Sequence, residues 1–465
     1  MLTAKGNPML RNLAKLSMVA LLGAVPAVEV WADGAVYAMT NALGNNEVKV
    51  YHRAADGTLS LAQTVATGGG GSGLQLAGVD SLGSAGSVQL DSAHLLLFVV
   101  NTETTAENNG AGAYNTDCQE GTITSFLIQS DGTLIFADRV FSGGLFPNSL
   151  TTLRKQHGNS KKQELLLYVL NAGGPETPVC QLTPDAANTP NITGFKVTQA
   201  GRMIPLDSTQ PIDPGPASAA SGVSCTAAAA AGFAALTGAP AADFQCGLNP
   251  PSFPRSPAQV GFTRDGQQLI VTVKGTNTIY VFPVDEDGAA GDPTTTQSPG
   301  PALPTFFGFT FDRNDNLLVT EFFGSSTSIP AGAKGALSSF AISSDGPLLP
   351  ISSHVGDGGT AACCIALEPI TGKFAYVANN LSASISSYTV ANDGSVTLLN
   401  GVAATGSGPN DLSVAVEGAI SFLYVVDAGT GTVGAFRING DGSLTPITGG
   451  GGLPVGRSAQ GLAAF

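Results

Sequence analysis

One local phrase recurs seven times along the chain, and it fixes the architecture more tightly than any other feature. Its clearest copies are Tyr168-Val169-Leu170-Asn171, Tyr376-Val377-Ala378-Asn379 and Tyr424-Val425-Val426-Asp427. After each comes an alternating apolar run that ends in an aromatic, then a tight turn, then another strand, then Gly or Pro. A unit of this kind cannot bury both of its faces alone, so neighbouring copies must pack on one another.

Each copy accommodates four strands. The second strand carries the phrase. The third ends in Tyr51, Phe126, Phe195, Phe282, Phe340, Tyr388 or Phe436. The fourth follows Asp56-Gly57, Asp131-Gly132, Asp287-Gly288, Asp345-Gly346, Asp393-Gly394 or Asp441-Gly442, with Ala200-Gly201 in the third copy. Asp-Gly predicts a two-residue hairpin with positive φ at both central positions. The last three of these turns lie 48 residues apart, which sets the bare unit length. The first copy, from Ala35, lacks a first strand, and Ser458 to Phe465 is left over at the other end. The simplest solution places that tail innermost in blade one, which removes exposed edges. The expectation is therefore all-β: a seven-bladed propeller of four-stranded blades closed by the C-terminal strand. An open solenoid is the rival, but neither end offers a polar cap.

The segments Val36 to Asn41, Arg53 to Leu59, Phe374 to Asn379 and Leu423 to Asp427 carry a family likeness. The pattern resembles the lactonase-type seven-bladed propellers, which include 6-phosphogluconolactonase-like and 3-carboxymuconate cyclase-like proteins and those named for the Y-V-T-N repeat. The likeness covers nearly the whole mature chain and is specific for fold. It implies chemistry by His, Arg and acidic residues at the channel mouth.

Residues 1–32 read as an export signal. Lys5, Arg11 and Lys15 precede an apolar stretch from Leu16 to Val28, and Val30-Trp31-Ala32 offers a cleavage site. An uncleaved anchor is the alternative reading, although the apolar run is short for a span of ~20 residues. Residues 33–465 then form the propeller, in a secreted protein, or a periplasmic one in a Gram-negative host. No other segment could cross a membrane. Loss of the leader removes three cations and one acid, taking the net charge from −14 to −16. Such an acidic product should repel nucleic acid. A monomer without cofactor or metal is expected.

Extra sequence is sorted onto one face. Strand direction alternates within a blade, so the loops after the phrase share a face with the connections between blades. Asn101 to Gly121, Asn171 to Asn191, Ser208 to Ser256 and Glu321 to Lys334 all fall there, and only Arg154 to Glu164 falls opposite. Loops on a rigid scaffold commonly carry binding, so a decorated mouth over the channel is expected; free drift of loop length is the plainer account. Cys118 and Cys180 lie in adjacent insertions and could bridge. Cys225 and Cys246 flank the Ala-rich piece in the 208–256 insertion; a bridge closing that loop would contribute roughly 3 kcal/mol. Cys363 and Cys364, as strand neighbours, should point to opposite sides, one between blades and one toward the channel; a strained vicinal disulfide is the alternative. Asn191 and Asn380 head glycosylation sequons. The run Gly68 to Gly73 lacks the residues of a phosphate loop and reads as a mobile connection.

None of His52, His94, His157 and His354 is expected at the mouth. Arg255 with Gln259, and Arg457 with Gln460, enter the innermost strands of blades four and one, while Asn148 and Asn410 take the corresponding places in blades three and seven. Two Arg facing a cavity could hold an anionic sugar, lactone or carboxylate. Asp411 or Glu321 could serve as a general base if desolvated. The plainer reading has the Asn and Gln satisfying backbone groups at strand ends. Two functions remain: an exported binding propeller for a small anionic molecule, glycan or surface protein, and a lactone hydrolase or carboxymuconate cyclase-like enzyme.

Overall fold

Each copy of the repeat folds into one antiparallel four-stranded sheet. The computed structural model describes residues 34–42, 45–73, 80, 82–91, 93, 95–102, 121–156, 163–173, 189–213, 256–297, 305–322, 334–343, 347–456 and 459–465. The proposed leader and nearly all of the 208–256 insertion lie outside them.

Blade one takes β1 (Ala35–Met39), β2 (Glu47–Arg53) and β3 (Leu59–Ala66) from the start of the chain. Blade two is β4 (Val88–Leu90), β5 (Leu96–Asn101), β6 (Thr122–Ile128) and β7 (Leu134–Phe141). Blade three is β8 (Pro147–Gln156), β9 (Gln163–Asn171), β10 (Asn191–Val197) and β11 (Met203–Pro211). Blade four is β12 (Pro257–Phe262), β13 (Gln268–Val273), β14 (Thr278–Pro283) and β15 (Thr294–Gln297). Blade five is β16 (Phe306–Phe311), β17 (Leu317–Glu321), β18 (Ala336–Ala341) and β19 (Leu349–Gly356). Blade six is β20 (Ala362–Leu367), β21 (Phe374–Asn379), β22 (Ser384–Val390) and β23 (Val396–Thr405). Blade seven is β24 (Pro409–Glu417), β25 (Ile420–Asp427), β26 (Thr432–Ile438) and β27 (Leu444–Gly451). The last strand, β28 (Leu462–Ala464), pairs antiparallel with β1, Tyr37 opposite Ala463, and completes blade one.

The innermost strands neighbour one another in the order β28, β4, β8, β12, β16, β20, β24 and back to β28. The ring is therefore closed, as the leftover tail predicts. Burial follows radius. The second strands β5, β17 and β25 are covered on both faces, which is why they read as unbroken apolar runs. The outermost strands, β3 and β23 among them, are mostly solvent-facing beyond their first residue.

The described Asp-Gly turns differ from expectation in type, and Asp345-Gly346 lies outside the described residues. At Ala54 to Thr58 the Gly57 amide donates to Ala54 O and the Ala54 amide to Thr58 O, so the loop holds three residues. Among Ala55, Asp56 and Gly57 only the glycine has positive φ, at 85°. This is a type I turn followed by a left-handed residue, the common three-residue hairpin. The Asp acts through its side chain instead. Its Oδ1 accepts the amide two residues on, Thr58 at 3.0 Å and likewise Thr133, Ser395 and Ser443. The glycine carbonyl then faces the preceding blade. It accepts the tyrosine hydroxyl of the repeat phrase: Tyr37 to Gly132, Tyr168 to Gly288, Tyr376 to Gly442 and Tyr424 to Gly57, at 2.8–2.9 Å. Two separated sequence signals are thus one device that joins blade to blade.

The Gly68 to Gly73 run is not a mobile connection. Gly69 to Gly73 are buried, and the amides of Gly71 and Gly73 donate to Ala42 O and Asn41 O. A Cβ on Gly71 would lie 2.3 Å from the Asn41 backbone and one on Gly69 would lie 2.6 Å from Asn101 Cγ. The glycines are there for close approach.

Candidate functional site at the axis

Five innermost strands begin with a bulge. Register shifts fall between Pro147 and Ser149, Pro257 and Gln259, Phe306 and Phe309, Ala362 and Cys364, and Pro409 and Asp411. A bulge leaves its extra residue unpaired and re-aims the side chain. Asn148, Ala258, Phe307, Cys363 and Asn410 occupy these positions and are all fully buried. They lie at the mouth-face ends of the strands that surround the axis.

Among the described residues, a length of chain crosses the axis at the mouth face. The connection from β3 to β4 runs inward, and its residues Asp80, Leu82, Ser84, Ala85 and Ser87 are all buried. This strap reaches across the axis from blade one to blade four. On the near side the Leu82 amide donates to Gln460 Oε1 at 3.2 Å and the Gln460 amide donates to Ser84 O. On the far side the Ala85 amide donates to Ala258 O at 3.1 Å and Lys274 Nζ to Gly83 O. Blade three holds the middle: Ser84 Oγ donates to Asn148 O, Ser149 Oγ to Ala85 O, and the Leu150 amide to Gly86 O, at 2.7–2.8 Å. Ala85 packs in one apolar cluster with Ala258, Phe307 and Cys363.

Charge is concentrated on the strap and beside it. Lys274 is 2% exposed and lies 4.9 Å from the centroid of the Phe307 ring. Asp80 is 2% exposed; its Oδ1 accepts the Leu82 and Gly83 amides, while Oδ2 is buried with no hydrogen-bond partner among the described residues. Burial pushes the Asp80 carboxyl up and the Lys274 ammonium down, and each opposes the other's shift by mutual attraction. Asp411 is a third buried charge. Burial, reinforced by Asp80, pushes its carboxyl up to about 7, against a hydrogen bond from the Leu412 amide. Its Oδ2 is also buried without a partner among the described residues. Buried carboxyls with shifted ionisation and unspent acceptor atoms mark a functional-site candidate.

The expected site residues meet varied fates. Asn148, Asn410 and Gln460 do converge on the axis, where they act on backbone: Asn148 Nδ2 donates to Pro257 O and Asn410 Nδ2 to Ala459 O. Gln259 points to blade five, giving to Phe309 O and accepting from its amide. Asp411 belongs to the axial cluster. Glu321 does not; it lies at the end of β17, with Oε2 2.7 Å from His354 Nδ1. His354 thus sits near the mouth-face end of β19, closer to the candidate residues than the sequence suggested. Cys363 and Cys364 are free thiols. Both lie beside blade seven, because the bulge at Cys363 interrupts the strict alternation: Cys363 Sγ is 3.8 Å from Pro409 O and Cys364 Sγ 2.8 Å from Asn410 O. The side chains of Asn191 and Asn380 are buried and hydrogen-bonded, so a glycan on either would require the amide to be released first. Arg255, Arg457, Cys118, Cys180, Cys225 and Cys246 lie outside the described residues. Sequence reasoning missed Asp80 and Lys274. Lys274 follows the end of its second strand as Asn380 follows Asn379, so aligning the copies would have flagged it. Asp80 lies outside the repeat and had no such signal. Among the described residues no group of three or more His, Cys, Asp or Glu is placed to hold a metal ion.

Residues 322–454 match the family model described as lactonase, 7-bladed beta-propeller. No curated protein matches the chain by sequence. Among solved structures, the chain is similar to a periplasmic gluconolactonase of Pseudomonas aeruginosa, with a TM-score of 0.58 and 16% identity over 93% of this chain and 99% of that one. It is similar to a putative 6-phosphogluconolactonase of Bacteroides fragilis, with a TM-score of 0.55 and 14% identity over 93% and 98%. A putative 6-phosphogluconolactonase of Bacteroides uniformis gives 0.56 and 13% over 92% and 99%. At these identities the likeness shows the fold. The resemblance to lactonase-type seven-bladed propellers holds, carried by the matched segment and the seven blades.

Proposed function

We propose that this chain is an exported lactonase-type propeller that binds a small anionic molecule, a glycan or a surface protein at its mouth face, and that its axis is not a catalytic chamber. The observation that carries this reading is the strap. With Ala85 packed against Ala258, Phe307 and Cys363, the buried Asp411, Asp80 and Lys274 have no described path to a substrate. Arg255 and Arg457 adjoin the inner strands of blades four and one in sequence, and we assign them the contacts to an anionic ligand. Export follows from the leader, with cleavage after Ala32.

One observation favours a second reading. Asp411, titrating near neutrality with an unpartnered Oδ2, suits a general base. A lactone hydrolase or carboxymuconate cyclase-like enzyme would use it once the strap moved.

A panel of aldonolactones and their acids, gluconolactone and 6-phosphogluconolactone included, separates the two. Binding by calorimetry without turnover, weakened in Arg255→Ala and Arg457→Ala, supports the binding protein. Turnover that is lost in Asp411→Asn while the melting transition is kept would overturn it. N-terminal sequencing of the exported form checks the cleavage site.

A further inference from the structure

The seven copies of the repeat provide an internal control for what the fold requires at each position. Two residues before the aromatic that ends the third strand, blades two, five and six carry a hydroxyl, in Thr124, Ser338 and Ser386. Each meets the last residue of its second strand. Asn101 Nδ2 donates to Thr124 Oγ1 at 3.0 Å, Ser338 Oγ to Glu321 Oε1 at 2.5 Å, and Asn379 Nδ2 to Ser386 Oγ at 3.2 Å. In blades two and six the hydroxyl also donates to the residue that follows the preceding blade's outermost strand. Thr124 reaches Thr67 O at 2.8 Å and Ser386 reaches Asp357 Oδ2 at 3.0 Å. The hydroxyl thus closes the seam between two blades.

Blade seven departs from this arrangement at every member. The hydroxyl position is Gly434, and Gly406 follows the outermost strand of blade six, in the place that Thr67 and Asp357 take elsewhere. The second strand ends in Asp427, where blades two, three and six carry Asn101, Asn171 and Asn379. Asp427 is partly buried. Its Oδ1 accepts the Ser407 amide at 2.9 Å, and its Oδ2 makes no hydrogen bond among the described residues. A Cβ on Gly434 would lie 2.8 Å from that Oδ2, so the carboxylate oxygen adjoins the bare stretch of strand. The seam is open here as a cavity of about 600 Å³, with Ala404, Thr405, Gly434, Phe436, Leu444 and Pro446 in its wall. Strand direction orders these residues. Thr405 and Gly434 lie toward the mouth-face end, beside Asp427, and Phe436, Leu444 and Pro446 lie toward the turn-face end.

A cavity of that size takes a small molecule. One end offers an ionised acceptor with an unspent oxygen and a threonine hydroxyl, and the other end is apolar. A carboxylate held partly out of water gains most from a cationic donor, and the net charge of −14 draws cations to the chain. We infer that the seam between blades six and seven binds a small primary ammonium ion that carries an aryl or alkyl tail. The ammonium donates to Asp427 Oδ2 and Thr405 Oγ1, and the tail leaves water along Phe436, Leu444 and Pro446. The site lies apart from the axis, so it neither needs nor replaces the anionic ligand assigned to the mouth.

The probe is 2-phenylethylamine, titrated into the full chain by calorimetry at neutral pH. Saturable binding is expected, with 2-phenylethanol roughly 10-fold or more weaker and 3-phenylpropionate not bound. Asp427→Asn installs the residue that three other blades carry, and its oxygen can still accept the Ser407 amide. It should weaken the amine by roughly 10-fold or more and leave the alcohol unchanged, a charge-specific loss that a purely structural role would not give. Gly434→Ser supplies the hydroxyl of blades five and six on backbone that is not left-handed, so it keeps the fold. It should abolish binding of amine and alcohol alike, because the new side chain enters the cavity and engages Oδ2. The melting transition of each variant shows that the fold is kept. The proposal is overturned by wild type that shows no saturable binding of the amine, by alcohol or acid bound as tightly as the amine, or by amine binding unchanged in Asp427→Asn or Gly434→Ser.

Discussion

The hydroxyl of Tyr424 donates to the carbonyl of Gly57 at 2.9 Å, and the two residues stand 367 positions apart in the chain. The bond joins blade seven to blade one, at the seam where the two ends of the propeller meet. Tyr37, Tyr168 and Tyr376 make the same bond one blade onward elsewhere in the ring. Each of these hydroxyls is buried, and burial raises every one of these phenols. Tyr424→Phe should therefore cost about 1 kcal/mol, the net value of a hydrogen bond, plus part of the penalty for an unsatisfied carbonyl. Tyr168→Phe should cost more, because its hydroxyl also meets Ser208 Oγ and accepts the Ala290 amide, both at 2.9 Å, and the two losses should add, because distant sites are independent. Urea denaturation of the singles and the double tests this. A Tyr424→Phe variant as stable as wild type would mean that the seam does not depend on this bond.

Gly71 offers a sharper contrast. A Cβ there would sit 2.3 Å from the Asn41 backbone, so its absence is what lets the two stretches of chain pass so closely. Backbone cannot step aside as a side-chain tip can, so Gly71→Ala should cost ~2 kcal/mol or more. At Gly451 an added Cβ would meet nothing within 4 Å. Gly451→Ala should be neutral or slightly stabilising, since it restricts the unfolded chain. Equal melting temperatures for the two variants would contradict the close approach at Gly71.

The architecture was legible because it is periodic. The tyrosine of the phrase, the aromatic that ends the third strand and the glycine turn recur, and recurrence survives noise at any one copy. The leftover Leu462 to Ala464 could be placed because only one blade lacked a strand. The turn type was misread because Asp-Gly suits two hairpins, and the choice depends on where the flanking strands pair. The axial site was legible only where it borrows the repeat. Asn148, Asn410 and Gln460 were found because they sit at strand starts, but their amides are spent on neighbouring backbone. The strap is outside the repeat, so Asp80 carried no periodic signal. Bulges defeated strict alternation at Cys363, which is why both thiols face blade seven.

Those thiols make a separate prediction. Cys363 and Cys364 are at most 1% exposed, and burial pushes the Cys364 thiol well up, so little thiolate forms at neutral pH. Reactivity follows thiolate and access. Alkylation mapped by mass spectrometry should leave both unmodified in the native protein and modify both after denaturation. Labelling of either at native conditions would place the strap-covered core within reach of solvent.

Asp411 couples the axial site to stability with a sign opposite to that of a typical surface acid. Its carboxyl is pushed up to about 7 in the fold, against about 3.9 for a free Asp. Between those values the native state holds a proton that the unfolded chain has released. Stability from this group is therefore full below about pH 4, falls as pH rises and levels off above about pH 7. Asn mimics the protonated acid, since its oxygen can still accept the Leu412 amide. Asp411→Asn should flatten the decline between pH 4 and 7 and stabilise the protein at pH 8, by at most on the order of 4 kcal/mol. Denaturation midpoints of wild type and variant at pH 5 and pH 8 measure it. A larger gain at pH 5 than at pH 8 would reverse the assigned sign. A gain at pH 8 would mean that an acid is kept at the axis at a cost to the fold, which is the expected trade where a residue serves binding or chemistry.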